Sequence, residues 1–157
     1  MGYEKNNKLH IVSVVAVIRN PQGKYLVLKR SPHEVAYPGK YTFPGGKTEG
    51  NDSIEETLFR EAAEEAGLEL LPGKVLLKDK SFTRPDGQTV KVFSYLCEAK
   101  DCSKVMLSKD FTDFKWVTVE ELRKLPHVGI EEELLQADKL ISMGVSLEKL
   151  KTKSVRE

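Results

Sequence analysis

The sequence predicts an α/β fold, a sandwich of the α/β/α type around a mixed β-sheet. Three observations point there. Short apolar or alternating segments bounded by Asn, Pro and Gly recur along the chain and read as strands. A helix with its own start and stop signals interrupts them, and a second stretch in helical register follows the last strand. At 157 residues the chain suits one domain, able to bury a core without disulfides.

The elements follow in order. Residues 1–8 are polar and read as a loose N-terminal segment. Leu9 to Arg19 and Lys24 to Lys29 read as strands joined by the turn Asn20-Pro-Gln-Gly23; within the first, Ile11 to Ile18 has the Val/Ile content of a buried strand. Ser31 to Gly39 holds Pro32 and Pro38 and reads as a loop, and Tyr41 to Phe43 as a short strand. A helix is expected over 53–66. Strands at Leu68 to Thr83 and Thr89 to Glu98 flank a hairpin turn, Arg84-Pro-Asp-Gly87. Lys100 to Asp113 reads as a polar loop, Lys115 to Val119 as a late strand, Val119 to Lys124 as a short helix, and Gly129 to Met143 as a second long helix that packs on the sheet. The domain is thus expected over 9–144, with 145–157 as a solvated C-terminal tail.

The helix over 53–66 carries the chemistry. Ser53 is a good N-cap, Glu56 three residues on completes a capping box, and Gly67 suits the position after the last turn. On a helical wheel Ile54, Leu58, Phe59, Ala62, Ala63 and Ala66 form a broad apolar side, while Glu61, Glu64 and Glu65 share a neighbouring arc. Glu65 lands between Ile54 and Leu58. A solvated acidic face accounts for Glu55 and Glu56. It accounts poorly for Glu65, because a carboxylate near a core needs a partner. Arg60 could pair with Glu64 at i+4, but one arginine does not neutralise three carboxylates. A hard divalent cation does. Spacing alone leaves a metal site and a structural salt-bridge network both open.

These residues resemble the Nudix box, a glycine, a glutamate, then Arg-Glu, an aliphatic residue, Glu-Glu and glycine at fixed spacings. Gly46, Arg60, Glu61, Ala62, Glu64, Glu65, Gly67 and Leu68 fit in register, and Asp52 stands where the first glutamate is usual. Tyr41-Thr-Phe-Pro-Gly-Gly46, Tyr25 to Arg30 and Phe114 to Leu122 resemble the family's flanking segments, so the likeness spans about residues 9 to 140. It implies a Nudix-type sandwich and a hydrolase that cleaves the pyrophosphate of a nucleoside diphosphate derivative. Glu61, Glu64 and Glu65 would hold Mg²⁺ or Mn²⁺ with the carbonyl of Gly45, and Arg60 would orient the carboxylates. Asp52, one methylene short, would brace the loop less firmly. A further acidic ligand is expected before Trp116, Asp110 first and Asp113 second. The general base is assigned to Glu64 or Glu61 ahead of Asp110. Arg30 would contact phosphate, with an ordinary surface arginine as the alternative. Tyr41 and Phe43 would pack on a base, with core packing as the alternative.

Within the family a nucleoside triphosphate cut to monophosphate and pyrophosphate is the leading substrate. ADP-ribose or another nucleotide sugar is second, and a non-catalytic nucleotide-binding domain is the reading from another class. Many members are homodimers, and that assembly is carried as an implication of the likeness. Composition excludes other partners. Net charge +1 offers no basic footprint for nucleic acid, and Glu148 and Glu157 dilute the lysines of the tail. No apolar run approaches the ~20 residues of a membrane span. Cys97 and Cys102 lack partners at zinc spacing and read as free thiols, so a soluble cytoplasmic protein is expected.

Overall fold

Alternation along a single strand lays out the architecture. In the computed structural model, which describes residues 9–150, β1 (Ile11–Ile18) sends Val14, Ala16 and Ile18 to one side and Val15 and Val17 to the other. β2 (Tyr25–Arg30) does the same, with Leu26 and Leu28 on the first side and Tyr25 and Val27 on the second, all four fully buried. A period of two with both faces apolar is the pattern of strands covered on both sides. Helices supply the cover: α1 (Ile54–Ala66) closes the first core, and α2 (Val119–Arg123) and α3 (Glu131–Ser142) close the second.

The α/β/α architecture with a mixed sheet is therefore present, but its strands divide between two sheets. β4 (Gly45–Lys47), β1, β6 (Thr89–Ala99) and β5 (Leu70–Thr83) form one in that order, with β1 parallel to β6 and the other pairs antiparallel. β3 (Tyr41–Thr42), β2 and β7 (Phe111–Val117) form the second, wholly antiparallel. The Asn20–Gly23 turn forms, with Asn20 Oδ1 accepting from the amides of Gln22 and Lys24, yet β1 and β2 share only an isolated bridge, Arg19 to Tyr25. The short strand expected at 41–43 ends at Thr42. The chain then crosses at Phe43 and Pro44 to the larger sheet, and this crossing sets Gly45 and Gly46 on an edge strand beside α1.

β7 begins four residues earlier than the alternation suggested, because Phe111 is buried and pairs with Arg30 across a register shift in β2. Ala63, expected on the apolar side of α1, is exposed. Cys97 is buried, Cys102 half-buried, and both are free. Among the described residues no helix is long and apolar enough to cross a membrane.

The expected loose segment 1–8, and 151–157 of the expected tail, lie outside the described residues. Residues 145–150 do not behave as a solvated tail. Leu147 is 4 % exposed and joins the second core, and a Cβ placed on Gly73 would lie 2.1 Å from its carbonyl oxygen. Leu147→Ala should therefore cost about 2–4 kcal/mol. Chemical denaturation should show a lowered midpoint at unchanged slope; a loss below about 0.5 kcal/mol, typical of surface sites, would return this segment to solvent.

Candidate active site

Two glycines let a loop and a helix meet. Gly45 donates its N–H to Glu65 Oε1 at 2.8 Å, and a Cβ there would stand 2.4 Å from the Val14 carbonyl oxygen. At Gly46 a Cβ would fall 2.6 Å from the Glu61 carboxyl carbon and 2.8 and 2.9 Å from its oxygens. The α1 carboxylates thus close directly onto the backbone of β4. α1 itself is framed as the sequence suggested: the Ser53–Glu56 capping box forms, and Gly67 adopts the left-handed conformation at φ 68°.

Arg60 turns toward the loop. Its guanidinium pairs with Asp52, lies 3.6 Å from Glu61 Oε2, and donates to the Lys47 carbonyl at 3.3 Å. The i+4 pair with Glu64 is not formed; the guanidinium is engaged by Asp52 and the Lys47 carbonyl instead. Asp52, despite its missing methylene, makes the brace between loop and helix. Glu64 is exposed on the same helix edge. The Gly45 amide is taken up by Glu65. Asp110 is exposed just before β7, its backbone carbonyl accepting from Ser31 N–H at 2.8 Å. Asp113 lies within β7 and accepts a 2.8 Å hydrogen bond from Tyr41 Oη, which separates it from the carboxylate edge.

Charge at this edge is unbalanced. Burial pushes the Glu65 carboxyl up to about 7; the neighbouring charges of Glu61 and Asp110 add to the rise, and the Gly45 N–H and Arg30 oppose it. Glu61 is raised by its own burial and by the Glu64 charge, against Arg60. Among the described residues no three His, Cys, Asp or Glu side chains already converge as a metal cluster. The donor set nonetheless fits a hard divalent cation. It is oxygen only, and the guanidiniums near it are shared, Arg60 with Asp52 and Arg30 with Glu34, so negative charge is left in excess. Gly46→Ala tests this contact. The clash falls on the flexible end of Glu61, so stability should drop by less than about 1 kcal/mol while the Mg²⁺ dissociation constant rises about tenfold. Calorimetric titration reads both Kd values, and an unchanged Kd would remove Glu61 from the metal site.

A cleft of about 580 Å³ opens from these glycines across the larger sheet. Gly45, Gly46, Glu65, Arg30 and Phe43 line it, while Arg60, Glu61, Glu64 and Asp110 do not. Arg30 donates from Nε to the Ala36 carbonyl at 2.7 Å and pairs with Glu34 at 3.1 Å, so it ties the 31–39 loop to the cleft wall. Tyr41 corrects the expectation of base contact. It is 3 % exposed, belongs to the second core, and does not line the cleft; burial, with the Asp113 hydrogen bond second, pushes its hydroxyl up to about 12. Sequence reasoning passed over Lys80 and Glu133, which line the far side. Their only signal was the run Glu131-Glu132-Glu133 opening a helix otherwise read as packing.

The NUDIX domain family model matches residues 9–137. The chain belongs to the Nudix family. It is 28% identical over 119 residues to nucleoside triphosphatase NudI of Klebsiella pneumoniae, covering 71% of this chain and 84% of that protein. It is 28% identical over 109 residues to a prenyl-diphosphate phosphatase of Methanosarcina mazei, covering 69% of this chain and 64% of that one, somewhat under two thirds of its length. The crystal structure of a MutT protein from Methanosarcina mazei Go1 superposes with a TM-score of 0.68 at 26% identity, over 83% of this chain and 94% of that one. This is a Nudix hydrolase, and its mixed α/β fold is that of its structural neighbours.

Proposed function

We propose that this Nudix hydrolase uses Mg²⁺ or Mn²⁺ to cleave the pyrophosphate linkage of a nucleoside diphosphate derivative, with a nucleoside triphosphate going to the monophosphate and pyrophosphate. The observation that carries the reading is the carboxylate edge of α1 closed onto Gly45–Gly46 at the mouth of a cleft that Arg30 also lines. NudI, a nucleoside triphosphatase by name, supports the choice of substrate.

The roles follow from position. Glu61, Glu64 and Glu65 would hold the ion, joined by the Gly45 carbonyl and by Asp110. When bound, a divalent ion neutralises charge on the phosphate oxygens and lowers the pKa of a coordinated water. Glu64, exposed and with no hydrogen bond or ion pair among the described residues, accepts the proton from the attacking water, with Glu61 as the alternative. Arg60 positions Glu61 through their ion pair, anchored by Asp52 and the Lys47 carbonyl. Arg30 donates charge-assisted hydrogen bonds to a phosphate oxygen. Phe43, 3 % exposed and part of the second core, backs the cleft wall rather than presenting a free face to the base. Tyr41 supports β7 through Asp113 and does not meet substrate. The free thiols of Cys97 and Cys102 suit a reducing compartment, and we place the reaction in the cytoplasm, with no nucleic acid or membrane partner.

Phosphate and pyrophosphate release from a panel of nucleoside triphosphates, ADP-ribose, dinucleoside polyphosphates and prenyl diphosphates, with Mg²⁺ and with chelator, tests the reading. Metal-dependent release of pyrophosphate from nucleoside triphosphates is the expected result. Turnover confined to ADP-ribose or to prenyl diphosphates would replace the substrate, and a folded protein inert across the panel would leave a nucleotide-binding domain.

A further inference from the structure

The far side of the cleft contains an unanswered polar group. Among the described residues two buried side-chain atoms lack a hydrogen-bond partner, Arg19 Nε and Glu133 Oε1. Arg19 sits at the β1–β2 turn and does not line the cleft. Glu133 does line it, is 2 % exposed, and opens α3 in its first turn. Its other oxygen is held at 2.9 Å by Lys80 Nζ, which also donates to the Gly129 carbonyl at 3.0 Å. A lysine ammonium has three donors, so this arrangement uses two of them.

A carboxylate oxygen buried without a donor is unfavourable, and native structures rarely leave one so. The surroundings indicate what would answer it. Register across the sheet runs from Lys47 on β4 through Ser13 on β1 and Val92 on β6 to Lys80 on β5. Three spacings of about 4.8 Å put Lys80 roughly 14 Å from the glycine edge. The Glu133–Lys80 pair is thus the opposite wall from Glu65. Tyr37, Phe43 and Phe82 also border the space, Phe82 two residues along β5 from Lys80. An aromatic-bordered slot ending in a buried, unpartnered carboxylate oxygen beside an ammonium with a donor to give fits a flat ring with adjacent hydrogen-bond donor and acceptor. An isoprenoid chain would leave both groups unanswered.

We propose that Glu133 and Lys80 form the base-reading end of the cleft: Glu133 Oε1 accepts an N–H from the edge of a nucleobase, and Lys80 donates to the neighbouring ring acceptor. The pair is a specificity determinant, remote from the bond that breaks. It rests on the nucleotide reading above and sharpens it, since it selects nucleotides over diphosphates that carry no base. A structural ion pair tying α3 to β5 is the competing account, and it predicts loss of stability without change in selectivity.

The test is the ratio of kcat/KM for a nucleoside triphosphate to that for ribose 5-triphosphate, which has the same sugar and phosphates and no base. It is measured for the wild type and for Glu133→Leu and Lys80→Met, with melting temperature alongside. The wild type should prefer the nucleotide, and each variant should narrow the ratio by about 10- to 100-fold, the loss of a hydrogen bond to a charged group. Equal losses on both substrates, or lowered melting with the ratio intact, would overturn the base-reading role and leave the pyrophosphohydrolase assignment standing. A wild type that hydrolyses prenyl diphosphate and no nucleotide would overturn both. Should a variant fail to fold, the wild type decides: calorimetric binding of a nucleoside monophosphate no tighter than of ribose 5-phosphate would end the proposal.

Discussion

Glu64→Gln should lower kcat by about 10²- to 10⁴-fold, the range associated with loss of a positioned proton acceptor, while shifting stability by no more than about 0.5 kcal/mol. The separation of the two effects is the informative part. Glu64 is exposed on α1, and among the described residues no hydrogen bond or ion pair reaches it. Its influence on the fold is electrostatic, through the rise it causes in Glu61. Removing its charge therefore relieves repulsion within the carboxylate edge and takes nothing from the core. Glu61→Gln should behave differently. It removes the partner of Arg60 at 3.6 Å, leaves the guanidinium to Asp52 alone, and should weaken both turnover and Mg²⁺ binding. Steady-state kinetics with thermal melting on both variants separates the roles. Turnover by Glu64→Gln within threefold of wild type would remove Glu64 as base and transfer that role to Glu61 or Asp110.

The contrast between these neighbours shows what sequence could and could not carry. The helix was legible because its signals are local. Ser53, Glu56 and Gly67 act within one turn of themselves, and wheel position alone placed Glu65 against the apolar side, where burial now raises its carboxyl. The partner of Arg60 was misjudged because spacing of four suggests Glu64, whereas the loop before the helix folds back and brings Asp52 and the Lys47 carbonyl to the guanidinium. Other features depend on pairings far apart in the chain. β1 and β2 look like a hairpin until β6 claims one and β7 the other. Tyr41 has the composition of a base platform, and only β7 supplies the Asp113 that draws its hydroxyl inward. Lys80 and Glu133 meet because α3 returns over β5, and no periodicity in either segment announces it. Comparison with relatives establishes the family, while the distant wall of the cleft, where substrates would be told apart, is visible only in three dimensions.

In chelator, this protein should lose stability as pH rises from about 4.5 to about 7. Glu65 has its carboxyl raised in the fold from the ordinary 4.5 to about 7, by burial first and then by the charges of Glu61 and Asp110. Between those values the folded state holds a proton that the unfolded chain has released. The slope of unfolding free energy with pH is then negative, and the loss levels off above the folded value. At about 1.4 kcal/mol per pH unit the total is on the order of 3–4 kcal/mol, and Glu61, raised in the same direction, adds to it. Mg²⁺ should reverse the trend. The ion binds the ionised carboxylates and competes with the proton, so its stabilising effect should grow from pH 5.5 to pH 8. Glu65→Gln, which cannot ionise, should flatten the profile in chelator and weaken the response to Mg²⁺. Denaturation midpoints across pH, with and without the ion, measure both. A chelated protein whose stability rises through this window would mean that Glu65 is already neutralised by a cation of the protein's own, and the excess of negative charge on which the metal assignment rests would be gone.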